Sequence, residues 1–260
     1  LLSEGQKGLW FIQHTEPSKT AYNVPIAFFI QDKIDKTKFY EALQLLLEEY
    51  PILRMRYMLN SESGEIFQHV HSIESSTSFD YIIVDKQYDI IEEFRKLLHI
   101  PFDLEKDSLL RLYARHSQIE RKTYILFVIH HIIFDGFSAG PLLKSFLEKY
   151  QQVLKEEKTI KKNSDLSYFN FIEWEYNYIN SRQGEESLSY WKEKLSEPLP
   201  ILGLPYDLEP SQNRKEVERA TLPIQKVELN KLKALAQSLN INLSILLLTV
   251  FKVLLHKLSR

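Results

Sequence analysis

The residues best placed to do chemistry lie in one stretch, HHIIFDG, from His130 to Gly136. An imidazole can take or hold a proton near neutral pH. Five apolar residues, Ile125–Ile129, precede the pair and predict a strand buried on both faces. Successive strand residues point to opposite faces. His130 and His131 therefore do not readily act on one atom or ligate one metal: one faces a cleft and the other packs inward. The chain has no cysteine and no HExxH spacing to complete a zinc site. Asp135 lies four residues past His131, in the turn, and can anchor the loop as readily as react. Gly136 lets the backbone turn where a side chain would clash. Ser138 suits an N-cap for the following helix, with Pro141 tolerated in its first turn. The plain alternative for either histidine is a surface residue or a satisfied core residue.

These residues need elements to hold them. Thr123–Ile129 pairs with Leu109–Arg115 as a hairpin across the polar loop SQIERK. Phe137–Lys155 reads as a long amphipathic helix, with Leu142, Leu143, Phe146, Leu147, Tyr150 and Val153 as its apolar stripe. Near the start, Ser3 with Gln6 three residues later is a capping-box pattern for a helix to Gln13, with Leu9, Trp10 and Gln13 along one side. Tyr22–Ile30 reads as a strand, and Pro25 suggests an edge or a bulge. Asp35–Glu49 reads as an amphipathic helix stopped by Pro51. Leu53–Leu59 is a predicted strand carrying Arg54 and Arg56 on one face. Glu65–His71 and Phe79–Val84 are further strands, and Tyr88–His99 is a helix.

A polar linker, Glu156–Asp165, leads to the aromatic-rich Tyr168–Asn180, where a stripe at helical spacing is more often core than a binding box. A short helix, Glu185–Leu195, a proline-punctuated loop, Pro198–Pro210, and a strand, Arg219–Val227, come next. Helices at Asn230–Leu239 and Leu243–Leu258 end the chain. Strands and helices intermix, so the class is α/β or α+β with an open or two-layer sheet.

Composition narrows the rest. The chain has 260 residues, 44% hydrophobic and 26% charged, ordinary for a globular protein with a sizeable core. A net charge of −2 argues against a nucleic-acid surface. The absence of cysteine removes a thiol nucleophile and a disulfide scaffold and suits a cytoplasmic setting. The longest apolar runs, Thr123–Phe134 and Leu243–Leu255, are too short to span a bilayer. With only seven glycines there is no GxxxxGK and no GxGxxG phosphate loop.

Four stretches together resemble the condensation domains of nonribosomal peptide synthetases. HHIIFDG matches that family's HHxxxDG signature. LSEGQKGLW, Leu2–Trp10, is similar to its first motif. YPILRMRY, Tyr50–Tyr57, resembles the end of its second, with Arg54 at the Leu-Arg position. YFNFIEW, Tyr168–Trp174, resembles its fourth. Their order and spacing agree over the whole chain. Two departures stand out. Glu49, Tyr50 and Pro51 occupy the places of the second motif's Arg-His-Glu, and Asn170 replaces an acidic residue of the fourth. The wording of LSEGQKGLW and YNVP is also similar to domains of hybrid polyketide–peptide assembly lines.

The resemblance implies an α+β two-layer sandwich of chloramphenicol-acetyltransferase-like type: an N-terminal lobe over residues 1–165, an aromatic helix and crossover over 166–215, and the start of a similar second lobe over 216–260. It implies amide formation between a donor acyl or peptidyl thioester and an acceptor aminoacyl thioester. Both would be carried on the phosphopantetheine of carrier proteins, with no cofactor bound by the domain itself. Donor and acceptor carrier proteins and neighbouring adenylation or ketosynthase modules are the implied partners, with no nucleic acid and no membrane. His131 matches the reactive position, either as base or as a group that holds the amine and stabilises the tetrahedral species. His130, Asp135, Gly136 and Arg54 take supporting roles, Asp135 as an ion-pair anchor toward Arg54 and Gly136 as room for substrate or a backbone donor. Another acyltransferase using coenzyme A or an alcohol, an epimerisation domain, and a non-catalytic docking module are the alternatives. The second lobe is expected to be less than half present. The apolar face of Leu246, Leu247, Val250, Phe251 and Leu254 would then lack cover, and the isolated piece would have little condensation activity.

Overall fold

The computed structural model describes residues 1–84, 88–156, 164–196, 198–199, 201–205 and 221–259. The chain divides into two compact units, Leu1–Ser187 and Leu188–Arg260.

The first unit is built on a four-stranded mixed sheet in the order β1-β6-β5-β4: β1 (Asn23–Gln31), β4 (Phe79–Val84), β5 (Leu110–Ser117) and β6 (Lys122–His130). β6 runs antiparallel to both β1 and β5, and β4 runs parallel to β5. Pro25 falls on β1, an edge strand, where its missing N–H costs no ladder bond on the open side. β2 (Met55–Leu59) and β3 (Ile66–Val70) form a separate antiparallel pair.

Every residue of β6 from Ile125 to His130 is buried, as the unbroken apolar run requires. One face of the sheet is covered by α2 (Lys36–Glu49) and α5 (Ala139–Leu154). Phe127 of β6 meets Phe146 of α5 edge-on at 5.3 Å, and Phe146 meets Phe39 of α2 at 4.8 Å. These three rings are fully buried, and edge-to-face geometry adds to their area burial. On α2, Asp35 accepts from the N–H groups of Thr37 and Lys38 and caps the helix.

α4 (Ile90–Leu98) is tied to the sheet by charge. Arg115 of β5, 1% exposed, donates to both oxygens of Glu93 on α4, at 2.8 and 3.1 Å, and to Asp80 of β4 at 2.7 Å. α1 (Glu4–Thr15) opens with the capping box its spacing predicts, and packs on the turn that follows β6. A short helix, α3 (Ile73–Ser76), follows β3. α6 (Ser167–Ile179) buries Ile172 but leaves Phe171, Trp174 and Tyr176 exposed, so the aromatic stripe is mostly not core. α7 (Arg182–Lys194) crosses the boundary between the units in sequence.

In the second unit, α8 (Lys226–Ser238) and α9 (Leu243–Leu258) are the remaining helices, α9 capped by Asn242 through the Ile245 N–H. Of the apolar residues on α9, Leu246 is buried while Leu247, Val250, Phe251 and Leu254 are exposed. No single helix among the described residues is long and apolar enough to cross a membrane.

Two expected strands are corrected. Residues 219–220 lie outside the described residues. Residues 221–225 are not strand, and Lys226 and Val227 open α8, because Gln225 with Glu228 forms a capping box that starts the helix four residues early. The strand expected at Leu53 begins instead at Met55, since Pro51 opens a 3-10 turn over Pro51–Arg54. Most of the expected linker, residues 157–163, and residues 200 and 206–210 of the proline-punctuated loop lie outside the described residues.

Removing Arg115 would strand a partly buried Glu93 without its partner. Arg115→Met is expected to lower the unfolding free energy by about 3–5 kcal/mol, the cost of breaking a buried ion pair one-sidedly. Urea denaturation of parent and variant measures it.

Candidate active site

The geometry of HHIIFDG follows from where β6 stops. His130, its last residue, pairs in register with Asn23, and its ring is fully buried. Its Nδ1 accepts the Ile132 N–H at 3.2 Å, and its Nε2 lies 3.4 Å from Oε1 of Gln13. The Phe102 ring meets it edge-on at 5.8 Å. A nitrogen that accepts from an amide carries no proton, so the ring proton sits on Nε2 and points to Gln13. Burial, and then the neighbouring His131 and Arg111, push the His130 imidazole down from 6.5 to about 4. Near neutral pH the buried His130 ring is therefore held neutral.

His131 begins a 3-10 turn, His131–Ile133. Its N–H donates to the Tyr22 carbonyl at 2.9 Å, and its own carbonyl accepts from Phe134 at 3.3 Å. With its backbone satisfied, its exposed ring lines a cavity of about 490 Å³. Tyr50, Leu53, Phe134, Phe137, Pro141 and Tyr168 supply much of the wall, with Asp135 and Asp165 among the polar lining. Alternation predicts that the two rings part, and they do. The exposure of His131, however, comes from the turn that ends the strand rather than from the pleat.

Asp135 departs from its expected role. Its Oδ1 accepts from the Ser138 N–H at 2.8 Å and from the Ser138 hydroxyl at 2.6 Å. The Ser138 hydroxyl and then its N–H hold the Asp135 carboxyl below the usual carboxylate range, with smaller help from the Phe137 N–H and His131. Neither His131 nor Arg54 forms an ion pair with it among the described residues. Arg54 instead donates to the carbonyls of Leu47 at 2.9 Å and His71 at 2.5 Å. The 3-10 turn before β2 aims it at α2's last turn, where carbonyls lack helical partners. Ser138 stands at the start of α5 but does not cap it with its side chain, because its hydroxyl is spent on Asp135. The expected N-cap is thus replaced by an Asx-type turn from Asp135.

Gly136 is also corrected. A Cβ built there meets no atom within 4 Å, and its φ is outside the left-handed region. The turn itself does not need glycine.

Sequence spacing missed the buried network behind the turn. Gln6 donates to the Tyr57 hydroxyl at 2.8 Å and to the Ile132 carbonyl at 3.2 Å, while the Ser3 hydroxyl meets the Tyr168 hydroxyl at 2.9 Å. The capping box announced the helix start, but nothing in local spacing links Gln6 to a turn 126 residues away. No cluster of three His, Asp or Glu side chains able to hold a metal occurs among the described residues.

The depressed imidazole of His130 gives stability a pH dependence of known sign. Above about pH 6.5 it is neutral folded or unfolded. Between 6.5 and about 4 the unfolded chain takes up a proton that the folded chain refuses, so stability is lost as pH falls. His130→Asn, which keeps an acceptor near the Nδ1 position, is expected to lose about 2–3 kcal/mol less than the parent between pH 7 and pH 4.5. Denaturant unfolding at the two pH values measures the difference.

The sequence profile of the Condensation domain family matches residues 1–260. The chain is 36% identical over 260 residues to Polyketide synthase PksN of Bacillus subtilis (strain 168), covering 98% of this chain and 5% of that protein. It is 30% identical over 260 residues to Gramicidin S synthase 2 of Aneurinibacillus migulanus, covering 99% of this chain and 6% of that protein. It therefore spans only a small part of the length of these relatives. Among solved structures, it is similar to holo-AB3403, a four domain nonribosomal peptide synthetase bound to AMP and glycine, with a TM-score of 0.78 and 25% identity over 99% of this chain and 19% of that one. The starter condensation domain of rhizomide synthetase RzmA shares the fold, with a TM-score of 0.65 and 20% identity over 76% of this chain and 48% of that one. A mixed sheet whose central strand ends in HHIIFDG at a cavity, and a profile match from the first residue to the last, agree: the chain belongs to the condensation-domain family.

Proposed function

We propose that this chain takes part in amide formation between a donor acyl or peptidyl thioester and an acceptor aminoacyl thioester. Carrier proteins present both on phosphopantetheine arms. The observation that carries the reading is an exposed His131 ring in a mostly apolar cavity, on a turn whose His131 and Ile132 backbone groups are all hydrogen-bonded, within a condensation-family fold. The higher identity to a polyketide synthase than to gramicidin S synthase 2 supports placement in a hybrid assembly line, with ketosynthase as well as adenylation neighbours.

The chemistry asks little of the protein. The acceptor amine attacks the donor carbonyl carbon, a C–N bond forms, the C–S bond breaks, and the thiol leaves with the proton shed by nitrogen. A thioester is already activated, and holding two reactants in line contributes ~7–11 kcal/mol. His131 meets the acceptor nitrogen and takes or steadies its proton. Asp135 is committed to Ser138, so this is no Asp–His relay. Arg54, which closes the gap between α2 and β3, supports the cavity wall formed by Tyr50, Ile52 and Leu53. Gly136 leaves space beside the cavity for a pantetheine arm.

His131→Ala is expected to slow amide formation by about 10²–10⁴-fold, the usual worth of a positioned proton-transfer group. The melting temperature should stay within about 2 °C, since the ring is exposed. The assay uses a synthase carrying this sequence with loaded donor and acceptor carriers, reads amide by mass spectrometry, and runs coenzyme A thioesters in parallel. Turnover near the parental value would overturn the role of His131 and favour a docking module, while efficient use of coenzyme A thioesters would favour a free-thioester acyltransferase.

Gly136→Ala separates space from backbone strain. The added methyl meets nothing in the fold, so melting should be unchanged while KM for a carrier-bound substrate rises severalfold. A lowered melting temperature with unchanged KM would show a purely conformational glycine.

A further inference from the structure

α1 carries two glutamines, Gln6 and Gln13, seven residues and about two turns apart, so they share a face. They are 2% and 3% exposed. A carboxamide is costly to bury unless its donors and acceptor are met; each of these is met, and each glutamine has one partner at the end of β6 or in the turn after it. Gln6 accepts the Ser3 N–H on Oε1 at 3.1 Å, and its Nε2 donates to the Tyr57 hydroxyl and the Ile132 carbonyl. Gln13 presents Oε1 to Nε2 of His130, and its own Nε2 donates to the carbonyls of Pro17, Lys19 and Phe102 at 3.1–3.3 Å.

Ile132, the residue after His131, is therefore held at both polar atoms. Its carbonyl is held by Gln6 directly. Its N–H is held by Nδ1 of His130, whose tautomer Gln13 fixes by accepting from the other nitrogen. The capping box needs only an oxygen at residue 6, which glutamate supplies equally well. The Nε2 of Gln6 has no capping use; its partners are Tyr57 and the turn.

We propose that Gln6 and Gln13 are positioning residues for His131: a two-point clamp from α1 that fixes the peptide following it, and so the direction in which its imidazole enters the cavity. The proposal rests on the reading of His131 as the group that meets the acceptor nitrogen. Neither glutamine lines the His131 cavity, so each acts only through the turn. A misplacement of about 1 Å at a reacting group is worth ~10²-fold in rate.

The test uses Gln6→Glu, Gln6→Leu and Gln13→Leu with two measurements. In a synthase carrying this sequence, with loaded carriers, kcat is expected to fall about 10–100-fold while KM for the acceptor carrier stays within about twofold. For Gln6→Glu the deficit should shrink as pH falls from 8 to 6, because a buried carboxyl resists ionisation and regains a donor once protonated. In the chain itself, amide exchange at His131 and Ile132 is expected to quicken at least about tenfold relative to Phe127 and Ile129 of β6. Parental kcat in folded variants, or exchange quickened equally across β6, would overturn the clamp and leave the glutamines as ordinary core residues. If the parent synthase forms no amide, the condensation reading has failed. The exchange pattern then decides the clamp alone, with local loss supporting it and uniform loss overturning it.

Discussion

A buried central strand must stop without leaving backbone groups unpaired, and the architecture around the cavity answers that requirement. β6 is walled in on both faces up to His130, so the first peptides beyond it emerge into a dry place. An orphaned amide there costs on the order of 1–3 kcal/mol. His130 removes the problem by turning its own ring back on the chain, so that a side-chain nitrogen does what the next ladder bond would have done for Ile132. Such a device works only with a neutral ring, and only if the opposite nitrogen has an acceptor. The burial that depresses His130, and the Gln13 carboxamide beside it, meet the two conditions. The 3-10 turn, its exposed His131 and the cavity wall all follow from that ending.

Two adjacent residues of one type thus do unlike work because their surroundings differ. His130 has no route to solvent and has a hydrogen-bond partner on each nitrogen. His131 has its backbone bound to Tyr22 and Phe134, and its ring meets Tyr22 edge-on at 6.5 Å and lines a cavity. Burial first, and then the nearby His131 and Arg111, keep the His130 ring neutral. Asp135 completes the division. By taking the Ser138 N–H and hydroxyl it starts α5, and α5 in turn packs Phe146 against Phe127 on the sheet face opposite His130.

What could be read from sequence was what local physics decides. The unbroken run Ile125–Ile129, the capping pair Ser3 and Gln6, and the stripe of α2 each carry their own period or spacing, and each appears where expected. Strand alternation predicts that the two histidine rings part, as they do, but the exposure of His131 comes from the turn after β6, which alternation does not describe. What failed was partner choice across long separations. Arg54 and Asp135 had complementary charge, yet the carbonyls at the end of α2 and β3 lay nearer to Arg54, and a serine three residues on lay nearer to Asp135. Of the two uses sequence suggests for Gly136, relief of a clash in the turn and room for substrate, the first is not needed, since its surroundings are open. Of the strand expected at Arg219–Val227, Lys226 and Val227 instead open α8 behind a capping box, Gln225 with Glu228, in which glutamine stands where serine or threonine is usual.

The site's electrostatics also bear on where its rate enhancement must come from. Serine-hydrolase triads hold their histidine with a buried carboxylate. Here the only carboxylate of the motif is exposed, bound to Ser138, and unpaired with His131 among the described residues. A lone histidine contributes on the order of 10²–10⁴-fold, roughly 3–5 kcal/mol, against ~7–11 kcal/mol available from alignment of two bound reactants. For the proposed condensation of an activated thioester with an amine, alignment therefore contributes more than proton transfer. A site that depends on alignment gains more from a rigid backbone at the reacting ring than from a tuned pKa. The density of hydrogen bonds on the His131 turn, from Tyr22, Gln6 and His130, is what such a site requires. That no carboxylate forms an ion pair with His131 among the described residues then agrees with the chemistry rather than marking a deficiency of it.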